Sequence, residues 1–248
     1  MFTKNDKAHK VEPKEDLRPG RGRPRGITPQ GNEMRSRLYE TAIRMIAARG
    51  YEDTTLREVA KAAGVSVGLL YKYFPSKRAV VLNLYDTLSA EYAHRSTSMA
   101  PGKWRHRFLF ALQSSMDVLG PHRQTLVALT PVLVGDPEEG LFSPQTAFSR
   151  DRVLSVFREA VIGASDAPAI KMAEALGRLL YILHLMVILL WLLDKSSKQR
   201  ATTALLALLD KSLSSFALAL RLSPIRSLVA TADTVLQEAL LLDESTIH

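Results

Sequence analysis

The sequence predicts an all-α protein in which a three-helix, helix-turn-helix head joins a helical body, about nine or ten helices in total. Three observations carry this. Apolar residues recur at i, i+3, i+4 and i+7 along most of the chain, and no convincing run alternates with period two. Pro- and Gly-containing breaks at Pro101-Gly102, Gly120-Pro121, Gly135-Asp136-Pro137, Ser143-Pro144, Asp166–Pro168 and Ser223-Pro224 cut the second part into helix-length pieces. The stretch Thr55–Lys77, TLREVAKAAGVSVGLLYKYFPSK, reads as two short helices around a three-residue turn, the layout that sets a second helix into the DNA major groove.

Residues 1–32 form a polar, Pro- and Gly-rich arm without apolar periodicity, expected to be disordered in the free protein. It lacks the apolar stretch of a secretory signal. Around Arg21, Arg23 and Arg25 its Arg-Gly-Arg-Pro run resembles the AT-hook core, in which arginines on an extended backbone enter an A·T-rich minor groove. Non-specific tethering to DNA and a solubilising tail are the alternatives for the same residues.

The head is expected over residues 33–78. Leu38, Ala42, Ile43, Ile46 and Ala47 supply its first helix, which Gly50 ends. Thr55 and Glu58 make a capping box for the second, with Leu56, Val59, Ala60 and Ala63 as its apolar stripe and Gly64 as its stop. Ser66 caps the third helix, and Leu70 and Phe74, four apart, anchor it. Val67, Gly68, Leu69, Tyr71, Lys72 and Tyr73 are left to face outward or sideways. Pro75 stops the helix, and Lys77 then sits at a helix start, where a cation opposes the helix dipole unless an anion lies beside it.

With these pieces in place, residues 34–85 resemble the DNA-binding domain of the TetR (tetracycline-repressor) family of bacterial transcription regulators. The resemblance rests on Ala48-Arg49-Gly50-Tyr51, Thr54-Thr55, Val59-Ala60, Ala63-Gly64-Val65-Ser66 and Leu70-Tyr71-Lys72-Tyr73-Phe74-Pro75-Ser76-Lys77. It implies that Thr55, Tyr71, Tyr73 and Lys77 hold phosphates while Val67, Gly68, Leu69 and Lys72 approach base edges, with Ser66 opening that helix. The family commonly has a small hydroxyl residue where Leu69 stands, so base reading here would lean on contact with thymine methyls. Charge agrees with a polyanion partner at one end: residues 1–78 carry 17 Lys+Arg against 9 Asp+Glu, and residues 79–248 carry 16 of each.

Residues 79–248 are expected to form the ligand-binding and dimerisation body. A linking helix carries Val80, Val81, Leu84, Tyr85, Leu88 and Tyr92, and further helices are expected near 103–119, 122–134, 145–162, 169–194, 198–222 and 225–242. The run Leu179–Leu193 is 15 residues long, short of the roughly 18–20 that cross a bilayer, so no membrane partner is expected. Together with the Leu- and Ala-rich segment Ala204–Leu222 it has more apolar surface than one monomer covers, which points to a homodimer. The resemblance implies the same, along with a pocket for an inducer. Trp104, Met116, Phe148, Tyr181, His184 and Trp191 are the candidate pocket residues, each also compatible with ordinary core, and a mostly apolar small molecule fits such a lining.

Enzyme chemistry finds no footing. The chain has no Cys, and its six His show none of the paired spacing with carboxylates used by metal-binding helices. No Walker A or dinucleotide fingerprint occurs, and no cofactor or metal is expected. Two functions stand against each other. One is a dimeric, ligand-responsive repressor on double-stranded DNA at a palindromic operator in the bacterial cytoplasm. The other is an architectural binder of A·T-rich DNA without an inducer.

Overall fold

Thr28 opens the first helix: its hydroxyl accepts from the Gly31 amide at 3.2 Å, and Pro29, with φ already suited to a helix, takes the first position. The computed structural model describes residues 28–241, so Arg21, Arg23 and Arg25 lie outside the described residues. Helix α1 (Pro29–Arg49) therefore claims four residues that sequence reading gave to the arm, because the Thr28 cap and Pro29 outweigh the polarity of this turn. It is followed by α2 (Leu56–Ala62), α3 (Val67–Tyr73) and α4 (Lys77–Ser96). The body continues with α5 (Trp104–Leu119), α6 (Arg123–Gly135), α7 (Ala147–Ile162), α8 (Ile170–Leu193), α9 (Arg200–Ala219) and α10 (Ser223–Leu236), and a π turn spans Gln237–Leu241. No strand occurs among the described residues.

The head closes around Leu38, Ala42, Leu56, Val59, Ala60, Ala63, Leu70, Phe74 and Val80, all buried. Short helices need caps to persist, and each here has one. The Thr55 hydroxyl accepts from the Glu58 amide while the Glu58 carboxylate accepts from the Thr55 amide. The Ser66 and Ser76 hydroxyls accept from the Leu69 and Ala79 amides. Gly64 takes φ +65° just beyond α2, a conformation that costs glycine little, and lets the chain turn into α3.

Helix α4 belongs to both cores. Val80 packs in the head, whereas Val81, Leu84, Tyr85, Leu88 and Tyr92 pack in the body. The body surrounds α8, whose Gly177 lets α7 come so close that a Cβ there would stand 2.8 Å from Arg158 Cα. Helix α8 stops at Asp194 because its last carbonyls are taken from outside: the Arg123 guanidinium donates to the Trp191, Leu192 and Asp194 carbonyls. The Asp194 carboxylate in turn accepts from Ser196 N, Thr202 N and the Thr202 hydroxyl, which holds its pKa well below the usual carboxylate range. A buried pair between Arg178 and Asp233, 2.6 and 2.7 Å, ties α10 to α8.

Helices α8, α9 and α10 leave a broad apolar surface. Met186, Leu193, Leu208, Leu218, Leu222 and Leu228 are each more than half exposed. In α9, Thr202 and Leu213 are the buried residues.

Candidate nucleic-acid interface and internal cavity

The outward side of α3 is set by what the inward side must bury. Leu70 and Phe74 face the head core with 1% and 2% exposure. Helical geometry then turns Val67, Gly68, Tyr71 and Lys72 to solvent, and leaves Leu69 and Tyr73 half-buried at the edges. A Cβ built on Gly68 meets nothing within 4 Å, so this position is a flat opening in the surface. Thr55 and Ser66 both spend their hydroxyls on helix caps and lie exposed. Among the described members of the expected DNA-facing set, Lys77 makes its contacts within the head. The Lys77 ammonium turns back to the Tyr51 and Glu52 carbonyls and sits 4.0 Å from the Tyr51 ring centroid. These internal acceptors and the ring offset the unfavourable place of a cation at the start of α4.

Inside the body a cavity of about 330 Å³ lies between α4, α5, α6, α7 and α8, a size at the low end for small-molecule sites. Its walls are mainly Leu, Val, Ile and aromatic side chains. Of the six residues singled out from the sequence, Tyr181 and His184 line it. The other four lie elsewhere. Trp104 is buried edge-on to Phe216, and Trp191 is buried with its indole N–H on Gln199 and the Arg123 guanidinium over its ring. Met116 packs against the main core and Phe148 is exposed. These rotations are decided by helix crossings, which residue spacing does not encode.

The few polar groups of the lining are informative. His184 Nε2 lies 2.8 Å from Ser115 Oγ, and burial pulls its pKa from 6.5 down to about 3, so the ring is neutral. Its Nδ1 and the Tyr92 hydroxyl are buried without a partner in the protein. Burial also pushes the Tyr92 and Tyr181 phenols above their usual range.

One cavity wall doubles as the seat of the head. Leu133, Val134, Leu141 and Phe142 line the cavity on either side of the turn at residues 136–140. That turn is fixed by the Asp136 carboxylate, which accepts from the Glu138 and Glu139 amides at 2.8 and 2.7 Å. From it, Glu139 receives the Tyr51 hydroxyl at 2.6 Å, and Glu138 pairs with Arg78. Tyr85, itself part of the lining, donates to the Glu139 carbonyl at 3.3 Å. Neither Glu138 nor Glu139 stood out in the sequence, since two acidic residues in a Pro-containing loop read as ordinary solvated charge.

A capped helix-turn-helix with an exposed second helix is thus seated on a helical body that holds a half-open apolar cavity. Residues 38–84 match the model of the bacterial regulatory proteins of the tetR family. The chain is 28% identical over 166 residues to the HTH-type transcriptional regulator EthR of Mycolicibacterium smegmatis, a match covering 63% of this chain and 75% of that protein. It is 34% identical over 105 residues to the HTH-type transcriptional repressor KstR2 of Mycobacterium tuberculosis, covering 41% of this chain and 52% of that protein. In fold it is similar to a tetR-family transcriptional regulator from Streptomyces coelicolor, with TM-score 0.55, 22% identity and coverage of 82% of this chain and 89% of that one. The fatty acid degradation regulator FadR from Bacillus halodurans shares the fold at TM-score 0.54 and 17% identity, covering 71% and 93%.

Proposed function

We propose that the protein is a dimeric transcriptional repressor that leaves a palindromic operator when a mostly apolar small molecule enters the cavity. The observation that carries this reading is the shared wall. The segment that closes the cavity with Leu133, Val134, Leu141 and Phe142 also holds the head through Tyr51–Glu139 and Arg78–Glu138. A ligand that moves this wall changes the seat of α1 and α4, and with it the spacing of two recognition helices. An architectural coat protein would have no use for such a chamber.

In this reading α8, α9 and α10 meet the same helices of a second copy across a two-fold axis, covering Leu208, Leu218 and Leu228. Val67, Gly68, Leu69 and Lys72 approach base edges from each α3, Ser66 opens that helix, and Thr55, Tyr71 and Tyr73 hold phosphates. Lys77 acts indirectly, by holding the Tyr51 loop. Arg21, Arg23 and Arg25 reach the neighbouring minor groove. Selection of bound duplexes from a random pool, with the full chain and with residues 1–27 removed, tests it. The expected product is a two-fold palindrome flanked by A·T tracts, the flanks being lost on truncation. Broad A·T enrichment without a palindrome contradicts the reading.

A further inference from the structure

Arg150 is the charged member of the cavity lining, which otherwise consists of apolar and neutral polar side chains. It is 7% exposed. Its Nη1 donates to the main-chain carbonyls of Leu141 at 3.4 Å and Ser143 at 3.1 Å. Among the described residues no carboxylate pairs with it, whereas the body's other deeply buried arginine near a cavity wall or helix junction, Arg107, reaches Glu159 at 3.7 Å. A guanidinium taken out of water and left with carbonyls keeps its full positive charge and unused planar donors. The Tyr181 hydroxyl belongs to the same lining, and the Arg150 charge pulls that phenol back down against the effect of burial. Arg150 and Tyr181 thus both belong to the lining of a chamber that is otherwise largely apolar. The polar pair of Ser115 with His184 is neutral and offers no competing charge.

We propose that the cavity takes an amphipathic carboxylic acid, its carboxylate on Arg150 and Tyr181 and its apolar part along the Leu-, Val- and Ile-lined walls. This rests on the reading of the cavity as the effector site and narrows it from an apolar molecule to an apolar acid. A carboxylate satisfies a buried guanidinium in the planar, two-pronged geometry that a hydroxyl or a ketone does not supply. Because Arg150 grips the Leu141 and Ser143 carbonyls, a carboxylate on it pulls on the segment that carries Glu138 and Glu139.

The test is calorimetric titration of the full chain near neutral pH with saturated monocarboxylates from octanoate to hexadecanoate, each beside the primary alcohol of equal length. The same acids are then added to the protein on its selected operator. The expected result is an acid preferred over its alcohol by at least about tenfold, a preference lost in Arg150→Gln and reduced but still present in Arg150→Lys, which keeps the charge without the planar fork. Should Arg150→Gln fail to fold, the acid-to-alcohol ratio of the unaltered protein and of Arg150→Lys still decides. Equal binding of acid and alcohol overturns the Arg150 assignment and leaves the effector cavity standing. Preferred acid binding without release of DNA upholds the assignment and removes the effector reading. Binding of neither series overturns the assignment.

Discussion

The head and the body are assembled from similar helices, yet they finish their surfaces in opposite ways. The head buries a small set of aliphatic residues around Phe74, caps each short helix with its own hydroxyl group, and turns Val67, Gly68, Tyr71 and Lys72 outward. The body buries a far larger core but leaves a cavity inside it and an apolar face outside it. A unit that satisfies itself can dock as a rigid reader of DNA. A unit with an unfilled interior and an uncovered flank responds to what fills and covers it. The turn at residues 136–140 is where the two meet, so a change in the body has a short path to the head.

The comparison is broken most severely by charging the uncovered flank. Leu208→Glu with Leu218→Glu places two carboxylates per subunit in the proposed dimer interface. The expected outcome is a monomer by sedimentation, with operator affinity down by about a hundredfold or more, from a cost of at least about 3 kcal/mol. A dimer of unchanged strength would place the interface elsewhere.

In the head, Leu70→Ala removes the anchor of α3 from a site that is 1% exposed. A loss of about 3 kcal/mol follows from comparable core truncations. It should appear as loss of DNA binding while the body keeps its own unfolding transition. Equal loss in both units would show that they fold as one.

His184 sharpens the comparison through pH. Its folded pKa of about 3 lies below its ordinary 6.5. The buried neutral ring therefore favours the fold above pH 6.5, and that contribution is lost as pH falls from about 6.5 toward about 3. At pH 5 the loss approaches about 2 kcal/mol. Chemical denaturation at pH 7 and pH 5 should show this fall in the body, and His184→Gln should flatten it. A slope that survives the substitution assigns the pH dependence to other groups.

The smallest change is at the junction. Tyr51→Phe deletes the hydroxyl that meets Glu139 at 2.6 Å. A hydrogen bond to a carboxylate contributes about 1.5–3 kcal/mol when buried, and less at this half-buried site. The expected signature is intact DNA binding and intact ligand binding with weakened coupling between them. Coupling equal to that of the unaltered protein would remove Tyr51 from the path.

Most of the head was legible in the sequence because its determinants are local. The Thr55–Glu58 box, the Ser66 cap, Gly64 and the Leu70/Phe74 pair each act within four residues, and each appears where spacing placed it. The helices of the body were legible too, since Pro and Gly mark their ends: the stretch expected near 103–119 is α5 at Trp104–Leu119, and that near 169–194 is α8 at Ile170–Leu193. The cavity was not. Tyr181 and Trp191 lie on one helix, yet the first lines the cavity and the second packs on Gln199 and Arg123, a difference set by neighbouring helices. Arg150 and Glu139 gave no signal, because a charged residue acquires its meaning from burial. The acceptors that Lys77 meets, the Tyr51 and Glu52 carbonyls, were not visible in its spacing either.

In the proposed mechanism, filling the cavity loosens the hold on DNA. It is tested most directly without any ligand, by filling the cavity from within. Val118 is buried on the cavity lining, and Val118→Trp adds bulk where a small molecule would sit. Fluorescence anisotropy on the selected operator should show affinity falling by roughly five- to 150-fold, with the body's thermal transition held or raised. A folded Val118→Trp protein that binds the operator as tightly as the unaltered chain would contradict the claim.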